Sequence, residues 1–343
     1  YAARASDFPG SLKVTREIAA GAYDTRELEN GEAVRIFTGA PLPPGADTIA
    51  IQENATEIDG GVRFDDAETQ GRYVRRAGLD FHEGDRLAGP GDVVSPRLMA
   101  VIAGGNHPWV KVVRRPRVAV LATGDEIKAP GEPLGPAQIV SSNNLALCAL
   151  IRAAGAEAID FGTVGDTLDD VEAAAAQLTG FNIVVTTGGA SVGKHDLVAK
   201  GFGAQGLDLA FWKIAMRPGK PLIFGQFGGG LFLGLPGNPV SSLTLGLLIL
   251  RPMLAKMMGR PADLPRERAV LSHDMGENDQ RRDFIRARRL PDGRIDAQAK
   301  QDSSMLTTLM GADVLVDRPA FDGPLKAGDT VSVIDLRSLG AEF

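Results

Sequence analysis

The sequence predicts a multidomain chain: a central α/β domain with a parallel sheet, flanked by an N-terminal β domain and a C-terminal small β-barrel. Three observations carry this. Between Arg117 and Gly259 short apolar strands alternate with helical stretches, the pattern of a parallel sheet covered on both faces. Before Ser95 no stretch supports a helix of ordinary length. After Arg266 short β-branched runs sit between Pro, Gly and Asp turns, as in small barrels. The expected divisions are residues 1–78, a connector over 79–115, the α/β domain over 116–260 and the barrel over 261–343.

In the first part, Ala33–Gly39 and Thr48–Ile51 read as strands separated by a turn with Pro41, Pro43, Pro44 and Gly45. Ile58-Asp59-Gly60-Gly61-Val62-Arg63-Phe64 is a hairpin signal. The connector holds a short helix from Ser95 to Ala103, with Ser95 as cap and Pro96 at the first position. Its one chemical candidate is Asp80, after the Arg75-Arg76 pair. In the α/β part, Val118–Ala122, Ala158–Phe161, Ile183–Thr187, Ala210–Ile214 and Leu231–Leu235 read as strands. Asn143–Ala154, Leu168–Leu178 and Pro239–Met258 read as helices, the first ended by Gly155.

With 44% hydrophobic and 23% charged residues the composition is globular. A net charge of −6 argues against nucleic acid as a partner. The one cysteine, Cys148, excludes an internal disulfide and a Cys-rich zinc site. The longest apolar run, Leu243–Leu250, is too short for a bilayer, and no signal peptide is visible. The expected location is therefore the cytoplasm, with no membrane partner.

The chemistry gathers at strand ends. Val184 to Asp196 runs from an apolar strand into a glycine-rich loop, Gly188-Gly189-Ala190-Ser191-Val192-Gly193, and ends in a carboxylate. Such loops at the carboxyl end of strands bind ligands, and rows of exposed amides suit anions. Asp125, Glu126, Asp166 and Asp196 follow three strands whose ends share one edge. Taken singly, an Asp there often just caps the next helix. Together, hard oxygens beside phosphate suit Mg²⁺. The opposite charge lies in Lys213, Arg217 and Lys220, interleaved with Trp212, Pro218, Gly219 and Pro221. Pro236-Gly237-Asn238-Pro239 then opens a helix whose free N–H groups offer a second anion seat. The set describes a site for a phosphorylated ligand with a metal ion.

Taken in order, several stretches resemble the molybdopterin molybdenumtransferase family, which includes MoeA and the gephyrin E domain. They are Thr38-Gly39-Ala40-Pro41, Ala122–Glu126, Thr187–Gly193 with Asp196, Lys213–Pro221, Leu235–Ser241 and Arg281-x-Asp283-Phe284-x-Arg286. Of the family's Met-Asp-Gly-Tyr-Ala motif, Tyr1 and Ala2 stand at the start of the chain. The resemblance implies a homodimer with a molybdopterin-binding, MogA-like α/β domain and β domains on either side. It implies that adenylylated molybdopterin is cleaved to release AMP while molybdate joins the dithiolene sulfurs, assisted by Mg²⁺. Other molybdenum cofactor biosynthesis proteins and apo-molybdoenzymes are the implied protein partners.

On this reading the catalytic candidates are Asp196, Glu126, Asp166, Asp80 and Thr38, and the metal candidates Asp125, Glu126 and Asp196. The ligand-binding candidates are Thr123, Gly124, Gly188, Gly189, Ser191, Lys213, Arg217, Lys220, Pro236, Asn238, Ser241, Arg281 and Ser303. Within that set the resemblance places molybdate at Arg281, Ser303, Lys220 and Ser241. Two alternatives share the α/β fold. A molybdopterin adenylyltransferase would not need the β domains, and a gephyrin-like scaffold would not need the acids and cations that this sequence keeps.

Overall fold

The computed structural model describes residues 1–189 and 197–342. The chain forms two compact units, Tyr1–Leu87 and Ala88–Phe343.

The first unit is built on a six-stranded sheet in the spatial order Thr48–Ile49, Ala2–Ala3, Glu32–Ile36, Gly10–Ile18, Gly61–Phe64, Thr56–Ile58. Gly10–Ile18 and Glu32–Ile36 run parallel, while the flanking pairs are antiparallel. Phe8, Leu12, Ile18, Leu28, Val34, Val62 and Phe64 close its core. The Asp59-Gly60 hairpin forms as its sequence requires, with Gly60 at φ 71°. Gly10–Ile18 is a strand that the sequence pattern alone does not announce. Its signal is hidden by the polar residues Lys13, Thr15, Arg16 and Glu17 and by a register shift between Val14 and Arg16, while Leu12 and Ile18 still share the buried face.

The second unit carries a six-stranded sheet in the order Glu157–Val164, Arg117–Thr123, Ile183–Thr187, Gly230–Leu235, Pro221–Phe227, Asp208–Lys213. The first four strands are parallel, as the continuous apolar runs predict. The last two are antiparallel to their neighbours, a departure from the all-parallel expectation. The cause is local. Gly228-Gly229 joins Pro221–Phe227 to Gly230–Leu235, and a two-residue turn connects only antiparallel strands. Side chains alternate cleanly across this sheet. Val118, Val120, Ile183, Val185, Leu233 and Leu235 face the helices Asn143–Ala153 and Pro239–Met257. Ala119, Leu121, Val184 and Phe232 face Leu168–Gln177 and Leu197–Ala204. Full burial of such a side chain contributes roughly 1.5–3 kcal/mol, so two filled faces hold this domain.

The Pro239–Met257 helix spans 19 residues at a mean hydropathy of 1.4, long and apolar enough to cross a bilayer by length and composition, though 56% of that window is buried inside the unit. It widens to a π-turn over Gly246–Leu250, just before Pro252, whose ring and missing N–H an α-turn would not accommodate.

The C-terminal strands run Met216–Arg217, Arg282–Arg289, Val314–Arg318, Thr330–Asp335, Arg266–Val270 in space, with Ile295–Ala297 paired to Arg282–Arg289. A bridge between Leu271 and Ile295 closes the ring, so the expected small barrel forms around Leu271, Ala287, Val314, Val316 and Val333. One strand is borrowed. Met216–Arg217, from the basic segment of the α/β domain, pairs in parallel with Arg282–Asp283.

Candidate active site

A cleft of about 360 Å³ opens at the carboxyl ends of Arg117–Thr123 and Ile183–Thr187, beside the loop that follows Gly230–Leu235. Open α/β sheets bind ligands in this place. Thr123, Glu126, Gly188, Gly237 and Asn238 line it from the α/β domain, and Ser304 from the barrel segment.

Glycine is required in its wall. Gly188 and Gly189 sit at φ 87° and 62°, and a Cβ on Gly188 would lie 2.4 Å from the Thr123 carbonyl oxygen. The Gly188 and Gly237 loops abut, since a Cβ on Gly237 would meet Gly188 Cα at 3.6 Å. The Gly188 N–H donates to the Leu235 carbonyl at 3.3 Å. That amide is therefore committed to the fold, which narrows the anion nest read from this loop to positions beyond it. Ser191 and Asp196 lie outside the described residues.

The acids converge beside the cleft. The Asp166 N–H donates to Asp125 Oδ1 at 3.1 Å. Gly124, whose own N–H donates to Val164 O, has no Cβ to obstruct the Glu126 carboxylate, which a Cβ would approach to 2.5 Å. Partial desolvation, then the negative charges of Glu126 and Asp125, push the Asp166 carboxyl above its ordinary value despite a backbone hydrogen bond. Like charges thus face one another, and among the described residues no ion pair answers them. Among the described residues no group of three His, Cys, Asp or Glu side chains is disposed to hold a metal ion.

The cations behave differently. Arg217 Nε donates to Asp283 Oδ2 at 3.0 Å, and Nη1 to Asp279 Oδ2 at 3.4 Å. Arg281 Nη2 donates to Asp279 Oδ2 at 2.6 Å. These contacts hold Asp279 at about 2, the hydrogen bond from the Arg281 side chain being the largest cause. Arg217 and Arg281 therefore sit in an ion-paired knot at the α/β–barrel junction. Lys213 and Lys220 are exposed, with Lys213 Nζ 5.8 Å from the Trp212 ring centroid. Neither lysine lines the cleft.

Asn238 Nδ2 donates to Ser303 Oγ at 2.7 Å, and the Val240 N–H to the Ser303 carbonyl at 3.0 Å. The helix start beside the cleft is thereby tied to the barrel segment. Arg286, only 2% exposed, holds that segment by donating to Gln301 Oε1, Asp302 O and Met305 O. Ser241 is buried, and the Pro236 carbonyl accepts from the Ser242 hydroxyl. Thr38 and Asp80 belong to the Tyr1–Leu87 unit, each exposed there. Sequence reasoning missed Ser141, Ser142, Asn143 and Ser304, all lining the cleft. The signal was present: Ser141-Ser142-Asn143-Asn144 packs four small polar residues between a strand end and a helix.

A glycine-walled cleft at the carboxyl edge of an α/β sheet, lined also by Ser304 of the barrel segment, marks a ligand-binding α/β protein. Residues 119–256 match the family model for a probable molybdopterin binding domain, residues 1–104 the MoeA N-terminal region (domains I and II) and residues 268–336 the MoeA C-terminal region (domain IV). The chain belongs to the molybdopterin molybdenumtransferase family. It is 34% identical over 338 residues to the Nostoc sp. molybdopterin molybdenumtransferase, covering 96% of this chain and 78% of that one. It is 35% identical to molybdopterin molybdenumtransferase 2 of Mycobacterium tuberculosis, covering 98% and 87%. The crystal structure of the molybdopterin biosynthesis MoeA protein of Pyrococcus horikosii superposes with a TM-score of 0.81 at 32% identity, covering 97% of this chain and 85% of that one.

Proposed function

We propose that this chain transfers molybdenum from molybdate to the dithiolene of molybdopterin, taking the adenylylated pterin as substrate and releasing AMP. One observation carries the reading: the carboxyl edge of the central sheet is polarised. Asp125, Glu126 and Asp166 follow its first two strands in spatial order. The glycine loops lie at the middle, and Lys213 and Lys220 flank the turn between its last two. The Asp208–Lys213 strand is antiparallel to a strand that is itself antiparallel to the core, so Lys213 ends on the same edge as the acids. Four strand spacings separate Arg117–Thr123 from Asp208–Lys213, about 19 Å. An extended substrate with a phosphate end and an oxyanion-accepting end fits such an edge.

The chemistry of the acidic end suits a hard divalent cation. Asp125 and Glu126 would hold Mg²⁺ together with Asp196, beside an Asp166 carboxyl raised first by partial desolvation and then by their negative charges. Bound there, Mg²⁺ would neutralise charge developing on phosphate oxygens. A tetrahedral dianion needs cations and hydroxyls instead, so molybdate belongs with Lys220, Arg281, Ser303 and Ser241. Arg281 must share its guanidinium between Asp279 and the oxyanion, which makes the seat adjustable and moderate in strength. Thr123, Gly124, Gly189, Asn238 and Pro236 shape the wall that orients the substrate, while the roles of Thr38 and Asp80 rest on sequence alone. The reading includes a cytoplasmic homodimer. The test is release of AMP from adenylylated molybdopterin with and without molybdate. Release that depends on molybdate supports the reading, and release indifferent to it points to a different activity.

A further inference from the structure

Two buried polar atoms at the cleft have no hydrogen-bond partner among the described residues. Asn143, 8% exposed, donates from Nδ2 to the Gly237 carbonyl at 2.8 Å, which fixes the orientation of its amide and leaves Oδ1 without a hydrogen bond. Thr123, 3% exposed, likewise has an unpartnered Oγ1. Both residues line the cleft, whose apolar wall is formed by Ile127, Val140 and Pro239. A buried acceptor without a donor is costly, so its place in a ligand cleft calls for a donor on the ligand. Oδ1 is an acceptor only. It cannot bond a phosphate or molybdate oxygen, and its partial negative charge would repel one.

We propose that Asn143 is the specificity-determining residue of this cleft, its Oδ1 accepting a hydrogen bond from the exocyclic amino group of the substrate's aminopyrimidinone ring. The proposal rests on the reading of the substrate as a pterin, and it assigns the part of the cleft at Asn143 and Thr123 to the ring, with Glu126 left to the phosphate end. Apolar walls receive the ring faces, and the Thr123 hydroxyl, donor or acceptor as needed, meets its polar edge. Adenine also carries an amino group, so the adenylyl half of the substrate offers the same chemistry. The experiment separates the two sources.

The intact chain is titrated by fluorescence or calorimetry with pterin-6-carboxylate, with the matching lumazine, in which a carbonyl replaces the amino group, and with AMP. The wild-type chain binds the pterin roughly tenfold or more tighter than the lumazine, the scale of one buried unmet hydrogen bond. Asn143→Ala brings that ratio to about one and leaves AMP binding as it was. Asn143→Asp, which keeps an acceptor oxygen but loses the donor to Gly237, retains the preference. Asn144→Ala serves as a control. Asn144 is also buried and anchors Asp160 and the Gly162 carbonyl away from the cleft lining, so its loss lowers the melting temperature and leaves the ratio intact. An unchanged ratio in Asn143→Ala overturns the proposal. So does a loss of AMP binding in its place, which would put adenine in the cleft, or an Asn143→Asp variant as indiscriminate as Asn143→Ala, which would reduce Asn143 to a prop for Gly237. A wild-type chain that binds no pterin overturns the underlying reading as well, and so is told apart from failure of Asn143 alone.

Discussion

The two charged ends of the sheet edge are built on opposite principles. At the acidic end Asp125, Glu126 and Asp166 face each other, and the Asp166 carboxyl is raised by partial desolvation first and then by its neighbours' charges. At the basic end Arg217 and Arg281 are answered within the fold by Asp283 and Asp279. At the acidic end no ion pair among the described residues answers the charge. The other end is largely neutralised, so its arginines brace the junction and its exposed lysines carry the free charge. Charge kept unpaired against its own repulsion belongs to function more than to folding, whereas an ion pair bridging two parts of a chain positions them.

The largest effect that would break this contrast is at the acidic end. Asp125→Asn and Glu126→Gln should each slow AMP release by about 10²–10³-fold, the scale for removing one preorganised electrostatic contact. Stability should stay level or rise, because a like charge is gone. A melting curve beside the activity assay checks both halves, and a variant that loses stability along with activity would contradict the reading. At the basic end the order reverses. Asp283→Asn leaves Arg217 without its main partner and should cost about 1–2 kcal/mol in urea unfolding, less than a fully buried pair because the Arg217 side chain is 45% exposed.

Smaller effects sharpen the comparison. Lys220→Ala should weaken binding of the pterin nucleotide severalfold and flatten its salt dependence, since exposed charges act through screened attraction. The pH dependence separates the ends again. A carboxyl whose folded-state value is raised holds its proton more tightly folded than unfolded. The stability it adds is full below its ordinary value near 3.8 and declines as pH rises through the raised value. Mg²⁺ should therefore raise the melting temperature above that window and not below it. Asp279 works the other way. Held at about 2, it adds stability above its ordinary 3.8 that is lost as pH falls toward 2.

Much of this architecture is written in local pattern. The alternation of Val118 and Val120 with Ala119 and Leu121 sets both faces of the central sheet, and Asp59-Gly60 sets a hairpin. The acids at strand exits were legible because parallel topology carries strand ends to one edge. What escaped was long-range or masked by a stronger signal. Pro221–Phe227 follows a conspicuous basic run and was absorbed into that loop, although Gly228-Gly229 marks its return. The Arg217–Asp283 pair spans 66 positions, and no period or spacing announces it. Asn143 read as an ordinary helix start, because only the folded chain shows that its amide is half satisfied by Gly237.

The polarity of the sheet edge is tested most directly by crystals of the intact chain soaked with Mn²⁺ and tungstate, each read from its own anomalous signal. The account predicts manganese at Asp125 and Glu126, and tungsten across the glycine loops beside Lys220, Arg281 and Ser303. Tungsten on the acidic side, or manganese seated at the Arg281–Asp279 knot, would contradict it.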